Sequence, residues 1–190
     1  MTDDPFIDVI TVIADLLELL RIPYAITGSV AAGVHGEPVT SQDVDFALRM
    51  TTEQARRLGE TLPRRFYCTT ERLQEVAREG GMINLIDQDS QWKVDLSVLP
   101  ATPFYDSVMS RRREEKYGTE EPLFYTVTPE DLILMKLLWR KDTRSRKQWD
   151  NALSVAQVKG ARMDWKYLFE QARSLGIEQD LIDLRDEAGI

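Results

Sequence analysis

The 190-residue chain carries one cysteine, Cys68, and one histidine, His35. A lone cysteine forms no internal disulfide, which excludes a disulfide-stapled scaffold and fits a reducing compartment. Glycine (10) and proline (8) are too sparse for collagen-like or long disordered structure. No apolar run is long enough to span a bilayer, because the most hydrophobic stretch, 7–22, is broken by Asp8, Asp15, Glu18 and Arg21. The opening Met1-Thr2-Asp3-Asp4-Pro5 is acidic where a signal peptide is basic. Positive charge is in deficit, with 24 Lys and Arg against 32 Asp and Glu and a net charge of −8. That balance argues against broad, salt-driven binding to duplex nucleic acid, although a local basic patch remains compatible with it. These absences lead to the expectation of a soluble, cytoplasmic protein with no membrane association.

The chain has a 43% hydrophobic content, close to the globular norm. At this length it buries roughly 70% of its unfolded surface, enough for one domain or for a core domain with a small appendage. Phe6, Val9, Ile10, Ile13, Leu16, Leu17 and Leu20 form one stripe of a helix over 5–20, capped by Asp3 or Asp4 and stopped by Pro23. Strands are expected at 24–27, 43–48, 64–68 and 123–127, and an antiparallel hairpin over 82–86 and 92–99, turning at Gln88-Asp89-Ser90. Helical patterns fall at 30–34, 51–62, 70–78 and 104–112, with a polar stretch from there through Glu121. From Pro129 onward only helical patterns occur, over 129–140, 146–157, 164–175 and 178–187, with Gly160 and Gly176 as breakers. The expected organisation is α+β: a mixed-sheet core with flanking helices over 1–127, followed by a helical subdomain over 128–190 packed on it.

Three places can carry chemistry. Gly28-Ser29 follows the first strand and precedes small residues, Ala31, Ala32 and Gly33. Backbone amides at such a junction can approach a phosphate closely, and Ser29 adds a hydroxyl; the same residues also serve as an ordinary turn. In Asp43-Val44-Asp45, strand alternation puts both carboxylates on one face about 7 Å apart. That pair is either a solvated face or a cation site. Asp95 interrupts a third apolar strand and shares its face with Lys93, which can pair with it. If the strands of Asp45 and Asp95 are neighbours, three carboxylates converge, and magnesium is the cation that prefers such oxygen ligands.

A Gly-Ser junction, thirteen intervening residues, an Asp-x-Asp strand and a later lone Asp form an ordered pattern that resembles the polymerase-β-like nucleotidyltransferase superfamily. Within it, Gly28-Ser29-Val30-Ala31-Ala32-Gly33-Val34-His35-Gly36-Glu37-Pro38, followed by Ser41-Gln42-Asp43-Val44-Asp45, is similar to the small AbiEii-type, toxin-related bacterial branch. Thr128-Pro129-Glu130-Asp131-Leu132 with Lys136, and Arg173-Ser174-Leu175-Gly176, are similar to that branch as well. The chain departs from the pattern at Val39, where many relatives carry Arg, and at Gln148-Trp149-Asp150, where the branch's acidic position corresponds to Asn151.

The resemblance implies transfer of a nucleoside monophosphate from an NTP, ATP among the candidates, to an acceptor hydroxyl with release of pyrophosphate. It assigns two Mg2+ ions, with Mn2+ as an alternative, to the catalytic and metal-binding Asp43, Asp45 and Asp95. It also implies nucleotide-phosphate contacts from Gly28 and Ser29. Lys136, set among Ile133, Met135, Leu137 and Leu138, adds a cation able to reach a triphosphate. The acceptor is unspecified, a protein, an RNA such as a tRNA end, or a small alcohol. The alternative is a non-catalytic, nucleotide-binding or interaction component of a toxin–antitoxin-type system, with a partner protein from a neighbouring gene. A dedicated RNA-binding module lacks the required aromatic-plus-basic sheet motif. His35 is expected to order its loop rather than to catalyse, and Trp139, Trp149 and Trp165 to pack rather than stack on bases.

Overall fold

The computed structural model describes residues 4–38, 40–117 and 122–190; Asp3, Val39 and Glu121 lie outside them. The fold is α+β. The chain divides into two units, Met1–Thr27 with Ser41–Thr126, and Gly28–Thr40 with Val127–Ile190.

The first unit is built on a six-stranded mixed sheet of order β3-β4-β2-β1-β6-β5. Its strands are β1 (Tyr24–Thr27), β2 (Asp43–Leu48), β3 (Gly81–Ile86), β4 (Lys93–Val98), β5 (Arg113–Lys116) and β6 (Leu123–Thr126). β2 runs parallel to β4 and β1 parallel to β6, while the other neighbours are antiparallel. Alternation along these strands puts Val44, Phe46, Leu48, Val94, Leu96 and Val98 on one buried face. Ile83 and Leu85 of β3 extend that face.

Helix α1 (Pro5–Leu19) is capped by Asp4, whose Oδ1 accepts the Phe6 amide at 2.9 Å, and it buries Val9, Ile10, Ile13 and Leu17. Helix α3 (Thr52–Thr61) opens with a capping box between Thr51 and Gln54. Helix α4 (Thr70–Glu79) is capped by Thr69 and ends at Gly80, and it packs on β3; helix α5 (Pro103–Arg111) is capped by Thr102.

Two expectations need correction in this unit. Residues 64–68 are not a strand. Phe66 makes a single bridge to Asp87, its amide turns back to the Pro63 carbonyl, and the Arg65 side chain pairs with Asp8 at 2.7 Å. The β-forming side chains lose to a turn set by Pro63 and to these ion pairs. The polar stretch after α5 contains strand β5, whose residues are all charged. It pairs with β6 at the sheet edge, where charge discourages further pairing with other chains.

The second unit is helical. It comprises α2 (Gly28–His35), α6 (Pro129–Thr143), α7 (Arg146–Lys159), a short 3-10 turn (Gly160–Arg162), α8 (Trp165–Leu175) and α9 (Glu178–Ala188). Helix α2 packs on α6 and α7, α7 on α9, and α8 on both α6 and α9. Thr128 caps α6 and also donates its hydroxyl to Asp131 Oδ2 at 2.8 Å; Tyr167 donates to the other oxygen of that buried carboxylate at 2.6 Å. Among the described residues, no helix is long and apolar enough to cross a membrane.

Burial pushes the hydroxyls of Tyr24 and Tyr117 well above the ordinary tyrosine range, and the Glu18 carboxylate, which accepts from Tyr24 at 3.0 Å, adds to the shift there. Below pH ~10 both states keep these protons. As pH rises past that value the unfolded chain loses them first, so stability falls toward the higher folded pKa. Urea midpoints are expected to be level from pH 8 to 9 and to drop above pH ~10, and the drop is expected to be shallower in Tyr117→Phe.

Candidate active site

The parallel pairing of β2 with β4 is in register from end to end. Asp45 lies directly opposite Asp95, and Asp43 opposite Lys93. Neighbouring strands are about 4.8 Å apart, and alternate residues share a face. Asp43, Asp45 and Asp95 therefore stand on one face of the first unit's sheet, opposite the apolar face. The same register adds Thr27 of β1, paired with Asp45, and Asn84 of β3, paired with Asp95. This face reads, strand by strand, amide, carboxylate, carboxylate, hydroxyl.

Hydrogen bonds orient the outer carboxylates. Ser41 donates to Asp43 Oδ1 at 2.5 Å, and Asn84 Nδ2 donates to Asp95 Oδ1 at 2.6 Å. Among the described residues, Lys93 forms no ion pair with Asp95. Thr27 is buried, and its hydroxyl has no hydrogen-bond partner among the described residues. No group of three His, Cys, Asp or Glu side chains among the described residues is gathered closely enough to hold a metal ion. The three carboxylates nevertheless offer anionic oxygen donors, which suit a hard cation such as Mg2+ and not a soft one.

In the second unit, Gly28 and Ser29 are not a turn but the first two residues of α2, so the chain passes from strand to helix with no intervening loop. Gly28 makes this change of direction at φ +67, a conformation that glycine alone adopts cheaply. Ser29 is buried, and its hydroxyl accepts from Asn151 Nδ2 at 3.4 Å. The neighbouring Asp150 is exposed and pairs with Arg146 at 2.7 Å. Asn151, not Asp150, thus hydrogen-bonds to α2.

His35 is buried, with Nε2 2.7 Å from the Val127 carbonyl oxygen, which joins the two chain segments of this unit. Gly36 lies against α7: a Cβ there would sit 2.6 Å from Ser154 Oγ and 3.1 Å from the Ser154 carbonyl carbon. The Ser154 hydroxyl accepts the Glu37 amide at 2.9 Å. Lys136 is buried on α6, its Nζ 5.8 Å from the centre of the Trp139 ring. Trp149 and Trp165 spend their indole N–H groups within the unit, on Glu187 at 2.9 Å and on the Gly160 carbonyl at 3.2 Å.

The sequence does not single out Asn84 or Thr27, and it marks Ser41 and Asn151 only as motif positions with no contact assigned. Asn84 was in principle recoverable, because it alone breaks the apolar run of its strand; the others depend on register or on tertiary contact.

No family model matches the sequence, and no curated protein matches it. Several solved structures match, among them two that do so over nearly the whole chain. One is an antigenic nucleotidyltransferase-like protein from Paracoccidioides brasiliensis, at 18% identity and TM-score 0.53, covering 98% of this chain and 94% of that one. The other is the antibiotic-resistance factor ANT(2'')-Ia, at 12% identity and TM-score 0.57, covering 96% of this chain and 98% of that one. The chain has a nucleotidyltransferase-like fold. At these identities the likeness extends to the fold alone.

Gly36→Ala is expected to destabilise the protein by about 1–3 kcal/mol, through overpacking against the α7 backbone. Asp150→Ala, which removes one exposed ion pair, is expected to stay within about 0.5 kcal/mol of the parent. Urea unfolding of the two variants checks both.

Proposed function

We propose that the protein is a metal-dependent nucleotidyltransferase of the AbiEii-type branch, moving a nucleoside monophosphate from an NTP to an acceptor hydroxyl. The observation that carries this reading is the pairing of Asp45 with Asp95, with Asp43 two residues away on the same face, in a chain of this fold. Three carboxylates on one sheet face and a triphosphate of charge about −4 repel one another unless cations stand between them.

Asp43, Asp45 and Asp95 would hold two Mg2+ ions, or Mn2+ in their place. When bound, such ions supply Lewis-acid activation of the acceptor oxygen and neutralise charge on the leaving group. Asn84 and Ser41 orient the carboxylates that they touch, so that the site is set before substrate arrives. Asp95 accepts the proton of the acceptor hydroxyl; that oxygen forms a bond to the α-phosphorus, the bond to the β-phosphate bridging oxygen breaks, and pyrophosphate leaves. Gly28 and Ser29 are assigned to the nucleotide phosphates through their backbone amides, and Lys136 through its charge. The acceptor is a protein, an RNA or a small alcohol.

Asp45→Asn is expected to abolish transfer of label from α-labelled NTP without lowering stability. Removing one of two opposed like charges on a sheet face is worth about 0.2–1 kcal/mol in its favour. Transfer undiminished in that variant contradicts the proposal. A protein that binds no nucleotide in the presence of Mg2+ would instead be the non-catalytic component of a toxin–antitoxin-type pair.

A further inference from the structure

The first unit holds a cavity far along the strands from the aspartates. A cavity of ≈ 680 Å3 lies past the carboxyl ends of β2 and β4, where Arg49 follows β2 and Leu99-Pro100 follows β4. Strands rise about 3.3 Å per residue, so Arg49 stands about 13 Å along β2 from Asp45. The cavity is of the size that takes a small organic molecule.

Its lining has the opposite sign to the chain as a whole. Arg21, Arg49 and Arg78 face it against one carboxylate, Glu79, in a protein of net charge −8. Arg49 is held in place by Asp106, 2.5 Å from its Nη2, and by the bond from its amide to the Pro23 carbonyl. Arg21 and Arg78 have no carboxylate partner among the described residues. Thr51 and Gln54, the capping pair of α3, also line the cavity, which brings the positive end of that helix to the same place. Met50, Val98, Leu99 and Pro100 supply an apolar wall.

Arg21 adds a separate observation. It follows the C-cap of α1 in the left-handed conformation, φ +54, at a position where glycine is the favoured residue. An arginine there costs backbone energy that glycine would not, and Gln54 Nε2 braces the Arg21 carbonyl at 2.8 Å. Arg21 is one of the two arginines lining the cavity that have no carboxylate partner among the described residues.

We propose that this cavity is a binding site for a small organic phosphate monoester. Guanidinium forks match phosphate oxygens in pairs, a monoester carries close to two negative charges at neutral pH, and the apolar wall takes the organic part. The site is independent of the nucleotidyl-transfer reading and stands or falls without it.

The test is calorimetric titration of the full chain with phenyl phosphate at constant ionic strength and in EDTA, which removes divalent ions from the aspartate face. Saturable binding is expected. It should weaken at least about tenfold in Arg21→Gly and in Arg78→Gln, since each removes charged hydrogen bonds, and persist in Asp45→Asn. Arg21→Gly should also melt higher than the parent, so its loss of binding would not reflect misfolding. Benzoate, with one charge, is expected to bind more weakly than phenyl phosphate. The proposal is overturned if phenyl phosphate does not saturate, if both arginine variants bind as the parent does, if binding is lost in Asp45→Asn, or if only a 5′-phosphorylated oligonucleotide binds.

Discussion

The in-register parallel pairing of β2 with β4 sets two aspartates side by side, and burial on the other face enforces it. Val44, Phe46 and Leu48 on one strand and Val94, Leu96 and Val98 on the other are buried together. Each such side chain contributes about 1.5–3 kcal/mol on leaving water, whereas opposed like charges cost only about 0.2–1 kcal/mol. A one-residue slip of either strand would relieve the aspartates only by turning that strand's three apolar side chains toward the polar face. The hydrophobic term wins by a wide margin, so the carboxylates are held together at a net cost that cations can offset. Asn84 bonded to Asp95 and Ser41 bonded to Asp43 each use one oxygen and leave the second of each pair to other partners.

The helical unit draws on two separate stretches of chain. Gly28–Thr40 leaves the sheet after β1, joins the helices that begin after Val127, and returns the chain to the sheet at Ser41. The link within that unit is specific: His35 against the Val127 carbonyl, Gly36 against Ser154, and Ser29 with Asn151. The lone histidine thus has a structural partner in the backbone, which accounts for it without chemistry. Gly28–Thr40 enters the helical unit and, with Ser41 and Gln42, spaces the Gly-Ser junction from the Asp-x-Asp strand along the chain.

Much of this was legible in the sequence because the signals were periodic. The stripe of α1 and the alternation of β2 and β4 each state their own element. The register that sets Asp45 opposite Asp95 was only conditional, since nothing local says which strands are neighbours. Strand β5 was hidden because Arg-Glu-Glu-Lys has no apolar period; it exists only by pairing with β6. Residues 64–68 misled in the other direction, since Phe66 and Tyr67 favour strands in isolation while Pro63 and the Arg65 ion pairs decide the backbone. The motif marks Asn151 as the branch's acidic position, but its contact with Ser29 is not legible there, because which α7 residues face α2 depends on helix packing. The Gly28 junction was read as a turn, since a positive φ at the first residue of a helix leaves no mark beyond the glycine itself.

The central claim is that the Asp43, Asp45 and Asp95 face takes divalent ions with a nucleotide. Paramagnetic line broadening by Mn2+ in amide-resolved spectra of the full chain, with and without NTP, tests it most directly. The account predicts that substoichiometric Mn2+ with NTP broadens the amides of 43–45 and of 94–96 first, while those of 49–54 and 98–101 stay sharp. Broadening that spares 43–45 and 94–96, or that follows the exposed acidic surface without regard to them, would contradict it.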